Sequence, residues 1–199
     1  MEDKKNVNSK SAKSKELIEW LESISVAVIV VIVLFSFFFR TVKISGPSMQ
    51  NTLFANDRII ISNMFYTPKC GDVIVISRNY NNEHTDVSMS SEPIIKRVIA
   101  TEGMVVDIDF ENGYVYVDGT LLKEDYIKNP TVTKWDVEFP LTVGKNQLFV
   151  LGDNRMESMD SRDSRIGLID ERYVLGKALF RVYRDAEHRS SFSEMFGGI

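Results

Sequence analysis

Val105-Val106-Asp107-Ile108-Asp109-Phe110, then Asn112-Gly113, then Tyr114-Val115-Tyr116-Val117 reads as a β-hairpin. Apolar and polar residues alternate with the two-residue period of a half-buried strand, and Asn-Gly fits a two-residue type I′ turn. Asp118-Gly119 supplies the next turn. Working outward, further short β-branched runs occur at Arg58–Ser62, Asp72–Ser77, Pro93–Ile99, Gln147–Leu151 and Gly176–Tyr183, bounded by Asn, Pro and Gly. Short strands separated by turn formers, with no internal repeat, predict an all-β body. Ser77 to Ser91 is polar and reads as a loop, so His84 within it reads as solvated rather than catalytic. The tail from Glu187 to Ile199 carries no pattern.

Composition narrows the function. The chain has 199 residues, with 24 Lys and Arg against 28 Asp and Glu, a net charge of −4 that does not suit a general nucleic-acid binder. One cysteine excludes an internal disulfide framework and any multi-cysteine zinc site. Cys70 reads as a small residue in the Pro68-Lys69-Cys70-Gly71 turn. Two histidines, His84 and His188, exclude a multi-histidine metal centre.

The apolar content is concentrated near the N-terminus. Ser23 to Phe39 is seventeen residues without a charge, about 26 Å of helix, apolar on every side. Ser14 is positioned to cap a helix beginning at Lys15 that includes Trp20 and Leu21, while the lysine-rich residues before it are too polar to order themselves. The run ends in the bulky Phe37-Phe38-Phe39-Arg40, unlike a cleavable leader. The expected organisation is a cytoplasmic tail and helix lead-in at 1–22, a transmembrane anchor at 23–39 and an extracytoplasmic body at 40–199. Five lysines precede the run, which by the positive-inside rule keeps the N-terminus in the cytoplasm of a single-pass plasma-membrane protein.

Three segments carry chemistry. Ser45-Gly46-Pro47-Ser48-Met49-Gln50-Asn51-Thr52-Leu53 holds Ser48 in a tight turn. In Ile94-Ile95-Lys96-Arg97-Val98-Ile99, strand alternation gives Lys96 apolar neighbours on its own face. Desolvation there disfavours the ammonium and makes a lysine general base available to a serine. Gly152-Asp153-Asn154-Arg155-Met156-Glu157-Ser158-Met159-Asp160-Ser161-Arg162 packs acids, arginines and hydroxyls into one loop suited to charge-assisted hydrogen bonds. In it Ser158 is placed to orient the lysine, and Asp153 or Asp160 to pair with Arg97 or Arg162.

In this order the segments resemble the bacterial type I signal peptidases, membrane-anchored Ser-Lys endopeptidases. The resemblance rests on the apolar run, Gly-Pro-Ser-Met-x-x-Thr-Leu at 46–53, Cys70-Gly71-Asp72, Lys-Arg-Val-Ile at 96–99 with Gly103 beyond, and Gly-Asp-Asn-Arg…Ser…Asp-Ser-Arg at 152–162. It implies a coiled antiparallel β-sheet, barrel-like, with one N-terminal transmembrane helix. It also implies Ser48 as nucleophile, Lys96 as general base, Ser158 orienting the lysine, and Arg97, Asp153, Asp160 and Arg162 as supporting residues. Ile44, Met49, Leu53 and Ile95 are candidate substrate-pocket walls. The implied partners are secretory precursors, cut after a small-x-small site, and the lipid bilayer, with no nucleic acid, no cofactor and no metal.

Two positions depart from the family pattern. Asn51 stands where proline is common, with little expected effect. Gly46 stands where some relatives carry a hydroxyl that completes the oxyanion hole, leaving the Ser48 N–H as a donor; Ser45 is badly placed to substitute. The single anchor and small body are closer to Gram-positive relatives. The rival readings are a self-cleaving repressor-type Ser-Lys protease, against which the apolar run speaks, and an anchored, non-catalytic β-domain that binds a partner.

Overall fold

The computed structural model describes residues 2–77, 92–184 and 197–199, with side chains for 15–77, 92–184 and 199. His84, His188, most of the predicted 77–91 loop and most of the 187–199 tail lie outside the described residues. The chain divides into two units, residues 1–39 and 40–199.

The first unit is one helix, α1 (Glu2–Phe38). It begins at Glu2 rather than Lys15, so Ser14 lies inside the helix and not at its start. The reason is local: no Gly or Pro interrupts residues 2–38, and extending an existing helix costs far less than starting one. Within it, Lys15–Phe38 is 24 residues long and, by length and composition, apolar enough to cross a membrane. Phe39, expected in the apolar helix, instead opens the first strand.

The second unit is mainly β. Its strands are β1 (Phe39–Lys43), β2 (Arg58–Ser62), β3 (Val73–Ile76), β4 (Ile94–Ala100), β5 (Val105–Asp109), β6 (Tyr114–Val117), β7 (Thr120–Leu121), β8 (Leu141–Thr142), β9 (Gln147–Leu151), β10 (Ile169–Asp170), β11 (Val174–Tyr183) and β12 (Gly197–Gly198). A curled eight-stranded sheet runs β1-β2-β11-β3-β4-β9-β10, with β12 also on β11, and β7-β6-β5-β8 form a second sheet. The described pairings are antiparallel. The large sheet stays open between β1 and β10.

Patterning explains these choices. β5 buries every second residue, as its alternation requires, whereas β3 is buried at all four positions. Val73 and Val75 enter one apolar cluster with Met49, Leu53, Ile59 and Ile61; Ile74 and Ile76 enter another with Val98, Val150, Ile166 and Ile169. A strand covered on both faces has no polar side to show, hence the unbroken Val-Ile run. The β5–β6 hairpin forms, but its turn differs from expectation. Asp109 pairs with Tyr114, so residues 110–113 make a four-residue loop in which only Gly113 has positive φ, +76°. The Asp109 carboxylate accepts the N–H groups of Glu111 and Asn112 and the Asn112 amide, an alternative that outcompetes the two-residue turn. The two-residue turn with both central φ positive is Asp118-Gly119, at +51° and +74°.

Asp72, just before β3, ties the sheet together. It accepts from Lys177 Nζ at 2.6 Å and the Tyr66 hydroxyl at 2.8 Å. Burial works against its ionised form, but the Lys177 and Tyr66 hydrogen bonds prevail and hold the carboxyl below its usual range. Its contribution to stability is therefore complete above the unfolded value of about 3.9 and is lost as pH falls through the lower folded value. Asp72→Asn should lower the thermal midpoint at pH 7, and the difference from wild type should shrink towards zero in melts taken from pH 4 down to pH 2. A constant difference over that range would exclude this role.

Candidate active site

Ser48 sits in a short coil of chain closed by Gln50 N–H to Pro47 O at 3.0 Å and Leu53 N–H to Met49 O at 2.8 Å. Asn154 straps this turn from across the molecule: its N–H donates to Ser48 O at 2.9 Å and its Nδ2 to Pro47 O at 3.1 Å. Asn51 has φ +96° and donates through Nδ2 to Tyr126 O at 3.0 Å. Proline, fixed near φ −65°, could not adopt that backbone.

Lys96 lies mid-way along β4 and is 4% exposed; its Nζ donates to Ser158 Oγ at 3.1 Å. Arg97, next on the strand, points to the other face and makes a fork with Asp153: Nε to Oδ1 at 2.8 Å and Nη2 to Oδ2 at 2.7 Å. Its Nη1 donates to Gly71 O at 2.8 Å, and its guanidinium stacks 4.1 Å from the Tyr126 ring. Burial opposes the charge on Arg97, yet the Asp153 hydrogen bonds and charge prevail and raise its pKa. The Thr52 hydroxyl also donates to Asp153, so the Ser48 turn, β4 and the 152–163 loop meet on one carboxylate. Arg162 pairs with Asp160, Nε to Oδ1 at 2.8 Å, and Asp160 Oδ2 accepts the Gly152 N–H at 3.1 Å. Of the pairings left open by the sequence, the structure contains Arg97–Asp153 and Arg162–Asp160.

A cleft of about 360 Å³ is lined by Lys43 to Gly46, Ser48, Met49, Glu92 to Lys96, Met159 and Ile166. Three of the four expected wall residues, Ile44, Met49 and Ile95, line it. Leu53 does not: it is fully buried and packs in the core beneath the turn. The Ser45 hydroxyl donates to Glu92 Oε2 at 2.6 Å, which engages it away from Ser48.

Two residues of the 152–162 segment make contacts that the sequence reading gave no role. Arg155, fully buried, donates to Glu124 at 2.6 and 3.0 Å, to the Thr131 hydroxyl and to Gly152 O at 3.0 Å. Gly152 is the tightest point: a Cβ there would lie 2.3 Å from Ser158 Oγ and 2.5 Å from Ser48 O. Its missing side chain lets the two hydroxyl-bearing segments approach.

The family described as signal peptidase, peptidase S26, matches this chain over residues 17–183. The chain belongs to that family. Relatives include Signal peptidase I T of Bacillus subtilis (strain 168), 30% identical over 204 residues covering 96% of this chain and 100% of that one. Signal peptidase IB of Staphylococcus aureus (strain N315) is 30% identical over 197 residues, 90% of this chain and 96% of that one. A signal peptidase I crystal structure from Enterococcus faecalis V583 aligns with 56% of this chain and 97% of that one, at 22% identity and TM-score 0.40. The chain is accordingly a peptidase, a hydrolase of the signal peptidase class.

Gly152→Ala should cost about 10²-fold in kcat/KM, the scale of an ångström-level misplacement of reacting groups, with an unchanged circular dichroism spectrum. Gly144→Ala, whose Cβ would come nearest to the flexible end of the Gln147 side chain, is the control and should retain activity. Equal activities would show that the close approach at Gly152 does not matter.

Proposed function

We propose that this protein is a membrane-bound serine endopeptidase that removes signal peptides from secreted precursors, with Ser48 as nucleophile and the neutral amine of Lys96 as general base. The observation that carries the reading is the buried Lys96 amine, held by Ser158, lining the same cleft as Ser48. Removal from water disfavours an ammonium relative to an amine, which suits a base.

The cleft also has a place for a peptide. β9 pairs with β4 only from Arg97 onward, Arg97 opposite Leu151. Val98 directs its N–H and C=O to the β3 side, bonding Asp72 and Gly71, so by alternation the main-chain groups of Ile95 face the edge that, among the described residues, no strand covers there. A precursor adds there as an extended strand, and shallow walls from Ile44, Met49 and Ile95 favour small side chains.

Ser48 Oγ attacks the scissile carbonyl as Lys96 takes its proton, and the Ser48 N–H donates to the developing oxyanion. On collapse the C–N bond breaks, the Lys96 ammonium protonates the leaving amine of the mature protein, and an acyl ester remains on Ser48. Lys96 then deprotonates a water that attacks the ester, releasing the signal peptide as a carboxylate and restoring Ser48. Arg97, Asp153, Asp160, Arg162 and Ser158 hold the geometry. The helix at Lys15–Phe38 serves as a single-pass anchor with the lysine-rich end in the cytoplasm and the β unit outside, which confines enzyme and precursor to one surface and raises their effective concentration.

The test is processing of a secretory precursor by the purified full chain in detergent, with the new N-terminus sequenced. Ser48→Ala and Lys96→Ala should each lower the rate at least about 10³-fold, and a serine-directed acylating inhibitor should label wild type but not Ser48→Ala. Because the base acts unprotonated, kcat/KM should rise with pH through a limb well below the free-lysine value of about 10.4. Processing by Lys96→Ala at the wild-type rate would remove the mechanism. Absence of both cleavage and labelling in wild type would favour an anchored binding domain.

A further inference from the structure

The mouth of the cleft carries a feature the hydrolytic mechanism does not use. Ser45 lies three residues before Ser48 and Glu92 four residues before Lys96, and the 2.6 Å bond from Ser45 Oγ to Glu92 Oε2 joins the nucleophile-bearing wall to the base-bearing wall. Among the described residues lining the cleft, Glu92 is the one carboxylate, in a surface otherwise apolar apart from hydroxyls and the cations Lys43 and Lys96. Lys96 is buried at the inner end. Lys43 is exposed at the rim on a flexible, strongly hydrated side chain. Glu92 is instead tied by Ser45 to a fixed place on the wall.

We propose that Glu92, held by Ser45, is a specificity-determining residue that favours a basic side chain, and disfavours an acidic one, in the precursor upstream of the cleaved bond. The inference rests on the peptidase reading and adds a substrate preference to it. Beyond Arg97 the edge of β4 is covered by β9, so the part of the substrate held in the cleft lies along residues 92–96. That part is the upstream segment, because the acyl group that stays on Ser48 is the upstream one. Four residues separate Lys96 from Glu92. An extended substrate advances at the same rise of about 3.3 Å per residue, so Glu92 meets the side chain roughly four residues before the scissile bond. A carboxylate there attracts Lys or Arg and repels Asp or Glu as the segment loses water on entering the cleft. The like charge contributes as much to selection as the attractive pair.

The experiment uses the full chain in a non-ionic detergent and peptides sharing one small-x-small site, with Lys, Gln or Glu placed singly at each position from three to six residues upstream. The readout is the ratio of kcat/KM for the Lys peptide to that for the Glu peptide, an internal comparison insensitive to general loss of activity. At one position wild type should show a ratio of about tenfold, the product of a modest attraction and a matching repulsion at a part-exposed site, and the ratio should shrink in high salt. Glu92→Gln should bring it close to one, Glu92→Lys should invert it, and Ser45→Ala, which removes the Ser45 hydrogen bond, should give an intermediate ratio. A wild-type ratio near one across the window, or a ratio that survives Glu92→Gln, overturns the inference and leaves the peptidase reading standing. Failure of wild type to cut even the Gln peptides would overturn the peptidase reading, and this inference with it.

Discussion

Asp153 is the point on which the separate pieces of the site converge. Its fully buried carboxylate accepts the fork of Arg97 from β4 and the hydroxyl of Thr52 from the Ser48 turn, while its main-chain carbonyl accepts the Lys128 N–H. A charge taken out of water is costly unless it is paired and its remaining lone pairs are filled, and here both conditions are met by groups from two distant segments, β4 and the Ser48 turn. Removing one partner of such a pair typically costs about 3–5 kcal/mol, a large share of the roughly 5–15 kcal/mol that holds a domain folded. The arrangement that positions the site is thus also one the fold cannot easily lose. The residues on either side of Asp153 exploit this: Gly152 admits Ser48 and Ser158 at close range, and Asn154 straps the Ser48 turn.

The buried arginines extend the same logic behind the site. Arg155 reaches Glu124 and Thr131, and Arg162 reaches Asp160, Thr133 O and Arg155 O. Guanidinium groups suit this use because a planar set of five donors can satisfy carboxylates and carbonyls from several directions at once. The connection between β7 and β8 has little regular structure of its own, and its backbone carbonyls and Glu124 find partners in these arginines. The second sheet therefore matters to the site through the segment it suspends against the 152–163 loop.

This division decides what the sequence could tell. Strands covered on both faces, such as β3 and β4, and one-faced strands such as β5 announce themselves by composition and period, and the three chemical segments were recognisable because each is contiguous. Two-residue strands such as β7, β8 and β10 are too short to carry a period. Glu124 sits in a stretch whose local pattern is that of any polar connection; its meaning lies in Arg155, 31 residues away. Gly152 was visible as a residue but not as a contact, since the close approach it permits joins positions more than a hundred residues apart. The Asn112-Gly113 turn failed for the opposite reason: a neighbouring side chain, Asp109, offered the backbone a competing local solution. Helix α1 outran its expected start because propagation is governed by the absence of breakers, which a search for caps does not weigh.

The cleft and the site have one topological origin. β9 covers the edge of β4 up to the pairing of Leu151 with Arg97 and then turns away at Gly152. Had it continued, it would have occupied the edge beside Lys96 and closed the cleft. Past that point no described strand pairs with this edge, which lies at a border between two apolar clusters, so Ile44, Met49 and Ile95 from one and Ile94, Met159 and Ile166 from the other all line the opening. The departing chain is the loop that bears Asp153, Asn154 and Ser158. An open strand edge is ordinarily a liability that proteins cover or charge. In this protein the uncovered length is short, its floor is a lysine, and its outer end carries the Ser45–Glu92 bridge. Those features make the edge poor at pairing with arbitrary strands.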